Sequence, residues 1–175
     1  METERLILRN FMEDDCISCF RNFGKDKSIG QFIPLFPMLH LDEMERLIKT
    51  LIPNLNAWLI IEKDTGQPVG YVTMDIPYHQ LKIGEIGYLI GERFQRKGFA
   101  GEAIAIVLYE YFMNKDLYMI EAKYMECNDG SANLLRNLGF REDGRLRERR
   151  IDFQSGDRKD LIVCSITKQE FLAGK

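Results

Sequence analysis

Between Glu85 and Ala103 the chain passes from a strand through a loop into a helix that opens on small residues, and this junction constrains the fold more than any other stretch. Lys82 to Ile90 reads as the strand. From Gly98 to Met113 the period changes: Ile104, Val107, Leu108, Tyr111 and Phe112 build one apolar helical face. Gly98, Ala100 and Gly101 at the helix start let a ligand approach the backbone closely. The first helical N–H groups lack intrahelical partners and lie at the positive end of the helix. Arg93, Arg96 and Lys97 add positive charge just ahead of them. Together these features suit a phosphate or pyrophosphate, although a glycine-rich helix start can also serve packing alone. The run Gly-x-x-x-x-Gly-Lys-Ser/Thr is absent, and so is a G-x-G-x-x-G after a first parallel strand. What stands here instead is Gln95-x-x-Gly98-x-Ala100.

The rest of the chain arranges itself around that junction. Arg5 to Asn10 reads as an opening strand and Glu13 to Phe23 as a helix with its acidic residues first. Ser28 to His40, with Pro34 and Pro37, reads as an irregular apolar loop, either lining a pocket or packed as a connection. Leu41 to Ile52 has helical spacing and stops at Pro53. Strands at Ala57–Lys63, Pro68–Ile76 and Lys82–Ile90, joined by short turns, imply an antiparallel meander. After the Gly98–Met113 helix come a strand at Met119–Met125 and a short helix at Ser131–Leu138, closed by Gly139. Strands at Phe140–Phe153 and Asp160–Ile166 complete the order β-α-α-β-β-β-α-β-α-β-β. The expectation is a mixed α/β (α+β) fold, a single domain over residues 1–175 with a mostly antiparallel sheet flanked by helices.

Composition narrows the function. Lys and Arg number 24 against 27 Asp and Glu, a formal net charge of −3, so nothing draws a polyanion to the chain as a whole. Nucleic acid is therefore not expected as a partner. No apolar run reaches the roughly 20 residues that span a bilayer, and charge occupies the N-terminal stretch where a signal peptide needs apolar residues. No membrane association and a cytoplasmic location are expected. Cys16 and Cys19 form a C-x-x-C, but Cys127 and Cys164 stand alone and neither His40 nor His79 has ligand spacing. Buried helical thiols and no metal are the expectation. Arg145 to Arg150 reads as a solvated surface strand whose side chains alternate between faces.

Several separated segments resemble one family. Gln95-Arg96-Lys97-Gly98-Phe99-Ala100 is similar to the Gln/Arg-x-x-Gly-x-Gly/Ala signature of the GNAT superfamily of N-acetyltransferases. Glu4 to Arg9 resembles the opening strand of the branch that contains the ribosomal-protein N-terminal (serine/alanine) acetyltransferases, and Glu85-Ile86-Gly87-Tyr88 resembles the strand before the loop. Asn128-Asp129-Gly130-Ser131 followed by Leu138-Gly139-Phe140, with Asp160 opening the last strand, resembles that branch's Asn-x-x-Ser…Leu-Gly-Phe element.

The resemblance implies acetyl-CoA as co-substrate and an amine as acceptor, of unnamed identity. It implies a sheet splayed at a parallel strand pair, with backbone groups of Leu89 and Ile90 pairing with the pantetheine arm. Gln95 would belong to the cofactor-binding loop, the N–H groups of Arg96, Lys97, Gly98, Phe99, Ala100 and Gly101 would hold the pyrophosphate, and Asn128 the pantetheine. Glu85 is the candidate base, or else an ordinary strand carboxylate. Ser131 is the candidate partner of the departing thiolate, or else a helix cap, a part open to Asp129 as well. Many relatives carry a Tyr proton donor where this chain has Leu135, which leaves Ser131, Tyr124 and water as donors. A catalytically silent acyl-CoA sensor is the alternative reading, and a homodimer through a sheet edge or the last strands is open to such a chain.

Overall fold

A computed structural model of the protein describes residues 1–174. Seven strands share one sheet in the order β1-β2-β3-β4-β5-β7-β6. They are β1 (Leu6–Arg9), β2 (Ala57–Glu62), β3 (Gln67–Tyr78), β4 (Ile83–Ile90), β5 (Met119–Met125), β6 (Arg141–Ile151) and β7 (Arg158–Thr167). The β4–β5 pair is parallel, while β1–β2, β2–β3, β5–β7 and β6–β7 are antiparallel. The expected fold class is borne out. The chain divides into two compact units, residues 1–73 with 88–106, and residues 74–87 with 107 onward. No helix among the described residues is long and apolar enough to cross a membrane.

In the first unit, helices α1 (Cys16–Cys19), α2 (Lys27–Gly30) and α3 (Leu41–Leu51) bury one apolar cluster with the sheet. Phe23, Met38, Met44 and Ile48 meet Leu59, Ile61 and Leu89 there. Cys16 and Cys19 belong to the same cluster as reduced thiols, pushed up in pKa by burial. The helix expected over Glu13–Phe23 is divided: a tight turn at Glu13–Asp15 precedes α1, and a wide turn at Phe20–Gly24 follows it. Asp15 is spent on Arg9, which grips it through two bonds of 2.6 and 2.8 Å. The segment expected as an irregular loop begins inside α2, and Phe36 and Met38 are buried, so it is packed as a connection.

In the second unit, α5 (Asp129–Asn137) and α6 (Lys168–Ala173) accompany β5, β6 and β7. Gly139 has φ 90°, the left-handed value expected after a helix C-terminus, and its N–H donates to Arg136 O at 3.0 Å. The α6 helix is absent from the sequence-based order. Its start is fixed by a reciprocal cap, Thr167 with Glu170, and Phe171 packs its ring 5.3 Å from that of Phe112. β3 also runs further than expected, through Pro77. Its pairing with β2 ends at Ala57↔Thr73, so beyond that point a proline removes no hydrogen bond on that side. β6 bulges twice against β7 and places Glu148 at φ 54°, so the expected regular alternation of Arg145–Arg150 is broken while their exposure holds.

Helix α4 (Phe99–Tyr109) runs from one unit into the other and ends in a wide turn at Glu110–Asn114. Within the first unit the backbone of β4 comes so close to β3 that a Cβ on Gly70 would lie 2.0 Å from Leu89 O. Gly70→Ala is therefore expected to destabilise the protein by about 2 kcal/mol, as overpacking in a fixed interior does. Gly144, with open space around it, is the control. Urea unfolding of both alanine variants checks this: equal midpoints would remove the close approach.

Candidate functional site

The loop ahead of α4 is built from both sides within the first unit. Gly91 N–H donates to Val69 O at 2.9 Å, and a tight turn at Glu92–Phe94 follows. Asp26 accepts Glu92 N–H at 2.6 Å; burial pushes its carboxyl above the ordinary range. Gln95 then folds back, its Nε2 donating to Ile90 O at 3.1 Å. Through this bond the glutamine of the motif closes the turn that precedes the glycine.

Beyond Gln95 the backbone takes two left-handed conformations, Arg96 at φ 62° and Gly98 at φ 83°. Alternation of that kind turns successive N–H groups toward one concave side, the arrangement that receives an anion. Glycine meets the second of these without strain, and Gly98 is exposed. Phe99, Ala100 and Gly101 are the first residues of α4, whose N–H groups have no acceptor four residues back. Phe99 is buried, so the side chain anchors the helix start while its backbone remains at the loop.

The three basic residues do not act alike. Arg93 donates to Gln67 Oε1 at 2.9 Å and lies 4.6 Å from the Phe94 ring centroid, so its charge is held by its own unit. The Lys97 ammonium lies 5.5 Å from the Phe94 ring and 5.9 Å from that of Phe99, astride the loop. Arg96 is exposed. Two residues that sequence reasoning missed complete the loop. Arg5 donates through NH1 to Lys97 O at 2.9 Å and through Nε to Glu102 Oε2 at 2.7 Å. No local pattern could have revealed them, because 97 residues separate Arg5 from Glu102.

The second unit carries Glu85, Asn128 and Ser131. The parallel register runs from Ile83↔Met119 to Ile86↔Ala122, and β4 and β5 both continue past it. Glu85 stands opposite Glu121 and reaches diagonally to Lys123, with Nζ to Oε2 at 2.5 Å. Lys123 was missed as well; finding it needs the register of two strands joined by a long crossover. Asn128 is the cap of α5: its Oδ1 accepts Ser131 N–H at 3.0 Å. The capping role left open between Asp129 and Ser131 thus falls to Asn128, and the Ser131 hydroxyl is not the cap. Leu135 is buried at 1% exposure, a core residue with no proton to give. Burial, followed by the nearby Glu142, pushes the Tyr124 phenol up, so it keeps its proton at neutral pH. Among the described residues no group of three or more His, Cys, Asp or Glu side chains could hold a metal ion.

A family profile described as an acetyltransferase (GNAT) domain matches residues 5–141, a span that takes in the whole loop and both strands of the parallel pair. The uncharacterized N-acetyltransferase YoaA of Bacillus subtilis is 30% identical over 173 residues, covering 96% of this chain and 96% of that protein. The [ribosomal protein uS5]-alanine N-acetyltransferase of Escherichia coli is 28% identical over 90 residues, covering 51% of this chain and 45% of that protein. A solved structure of RimL, a ribosomal L7/L12 α-N-protein acetyltransferase in complex with coenzyme A, superposes with a TM-score of 0.83 at 18% identity. It covers 94% of this chain and 95% of that one, and shares its fold.

Loss of the α5 cap has a measurable consequence. Asn128→Ala is expected to cost about 1 kcal/mol, the usual worth of a helix cap. Chemical denaturation measures it; a cost near zero would mean that Ser131 N–H finds another acceptor.

Proposed function

The chain belongs to the GNAT family of acetyltransferases, and from that premise we propose that it moves an acetyl group from acetyl-CoA to a primary amine by direct attack. The amine nitrogen adds to the thioester carbon, the C–N bond forms and the C–S bond breaks. One proton leaves the ammonium before attack; a second leaves the nitrogen as the tetrahedral adduct becomes the amide, balancing the one delivered to the departing thiolate. The observation that carries this reading is the pair of left-handed residues, Arg96 and Gly98, opening directly onto the N-terminus of α4.

In this reading the N–H groups from Arg96 to Gly101 receive the pyrophosphate, Gln95 closes the turn before them, and Lys97 supplies charge beside them. Leu89 and Ile90 offer backbone groups to the pantetheine arm, as an added strand would. Asn128 spends Oδ1 on its cap and keeps its amide N–H groups for the same arm. Glu85 accepts the ammonium proton, directly or through water, with Lys123 fixing its carboxylate. The Ser131 hydroxyl donates to the thiolate, and Tyr124 is the second available donor because its phenol stays protonated. We take residues 1–175 as one acetyltransferase domain that works in the cytoplasm. The relative that modifies a ribosomal protein makes a protein N-terminus one acceptor class to test, beside small amines.

Release of free thiol from acetyl-CoA, measured against small amines and peptides with free α-amino groups, tests the proposal. Turnover with at least one amine is expected. Stabilisation by acetyl-CoA with no turnover across the panel would contradict it and leave a binding module. Gly98→Trp is expected to weaken acetyl-CoA binding by about 100-fold, roughly 2.7 kcal/mol, because the indole fills the approach to the loop. Unchanged affinity in a folded variant would remove the loop from the site.

A further inference from the structure

We propose that Arg5 is a positioning residue for the donor substrate: by anchoring the Lys97 carbonyl it aims the Gly98 N–H at the pyrophosphate. The inference rests on the reading of the Gln95–Gly101 loop as the pyrophosphate site, and it assigns a role to a residue in a distant part of the chain. Arg5 immediately precedes β1. Its own backbone is fixed on both sides, with its N–H donating to Glu102 Oε1 at 2.9 Å and its carbonyl accepting Lys63 N–H at 2.9 Å. The guanidinium then spans two targets. Nε and NH2 take Glu102 Oε2 at 2.7 and 2.6 Å, while NH1 takes Lys97 O at 2.9 Å. The Arg5 guanidinium carbon also lies 5.0 Å from the Phe99 ring centroid, over the first residue of α4.

The consequence follows from peptide planarity. In a trans peptide the N–H points opposite to the preceding carbonyl. Holding Lys97 C=O against Arg5 therefore turns the Gly98 N–H away from Arg5. At its other end the loop is held by Gln95 on Ile90 O, so the residues between are fixed from both sides. Without Arg5, the Lys97–Gly98 peptide is free to rotate, and glycine makes that rotation easy. Ordering it again upon binding costs affinity that a preorganised loop retains.

Charge leads to the same residue. Glu102 lies in the first turn of α4, where a negative side chain competes with an anionic ligand for the positive helix end. Arg5 pairs with that carboxylate, and Thr3 Oγ1 donates to it as well. The planar fork of arginine is required, because it satisfies Glu102 and Lys97 O at once. A single lysine ammonium can serve Glu102 but cannot reproduce the rigid fork to the carbonyl.

Calorimetric titration of the intact protein with three probes tests this: coenzyme A, its pyrophosphate-bearing half (adenosine 3′-phosphate 5′-diphosphate), and pantetheine. Arg5→Gln is expected to weaken the first two by the same factor, about tenfold or 1.4 kcal/mol, and to leave pantetheine unchanged. Arg5→Lys, which keeps the bond to Glu102 and with it the melting temperature, is expected to show the same loss. Affinity restored to the wild-type value by lysine would reduce Arg5 to a structural tie and overturn the proposal. Equal weakening of all three probes would overturn it too, since it would reflect general loosening of the protein. If the wild-type protein gains nothing from the pyrophosphate half, the reading of the loop itself fails, and the role of Arg5 falls with it.

Discussion

The carboxylate of Glu102 collects four donors from a single tripeptide: the Thr3 hydroxyl, the Arg5 N–H, and Nε and NH2 of the Arg5 guanidinium. Burial pushes this carboxyl up, but the bonds from Thr3 and Arg5 together hold it below its ordinary value. A depressed carboxyl contributes stability above its unfolded pKa and loses it as pH falls through the folded one. The tie is therefore intact at neutral pH and weakens only in acid. Through it the chain just before β1 fixes the first turn of α4, and the Gln95–Gly98 loop is the stretch of backbone that enters that turn. The geometry proposed for pyrophosphate binding depends on this junction holding its shape without a ligand.

The second unit arranges side chains where the first arranges backbone. Glu85 and Lys123 are brought within 2.5 Å because β4 and β5 are parallel neighbours whose register sets Glu85 beside Glu121. Asn128 ends its strand-to-helix turn by accepting Ser131 N–H, which fixes the α5 start while the serine hydroxyl is spared capping duty. Under the proposed function, the first unit calls on fixed dipoles for a polyanionic tail and the second on a few ionisable or hydroxyl groups for proton movement.

How much of the molecule is legible in the sequence depends on how local each feature is. The α4 start is legible because glycine, alanine and a change of period are neighbours in the chain, and Gly139 marks the end of α5 for the same reason. Sequence reasoning cuts β3 short at Ile76, yet Pro77 forbids a hydrogen bond only where a partner strand needs one, and on the β2 side the pairing ends at Thr73, before it. The wide turns at Phe20–Gly24 and Glu110–Asn114 leave helical spacing almost unchanged, so the sequence hides them. The motif singles out Asn128 for the ligand, while its capping bond to Ser131 emerges only from the geometry. Arg5, Glu102 and Lys123 escape sequence reasoning altogether, since each acquires its role from a partner on another element, set by sheet order and register.

The central claim is that backbone N–H groups at the start of α4, above all that of Gly98, receive the pyrophosphate of acetyl-CoA. Its most direct test is the amide spectrum of the 15N-labelled protein titrated with coenzyme A and, separately, with pantetheine. The Gly98 and Gly101 amide protons are expected to move downfield with coenzyme A and to stay in place with pantetheine. Movement of these amides with both ligands alike, or with neither, would contradict the claim.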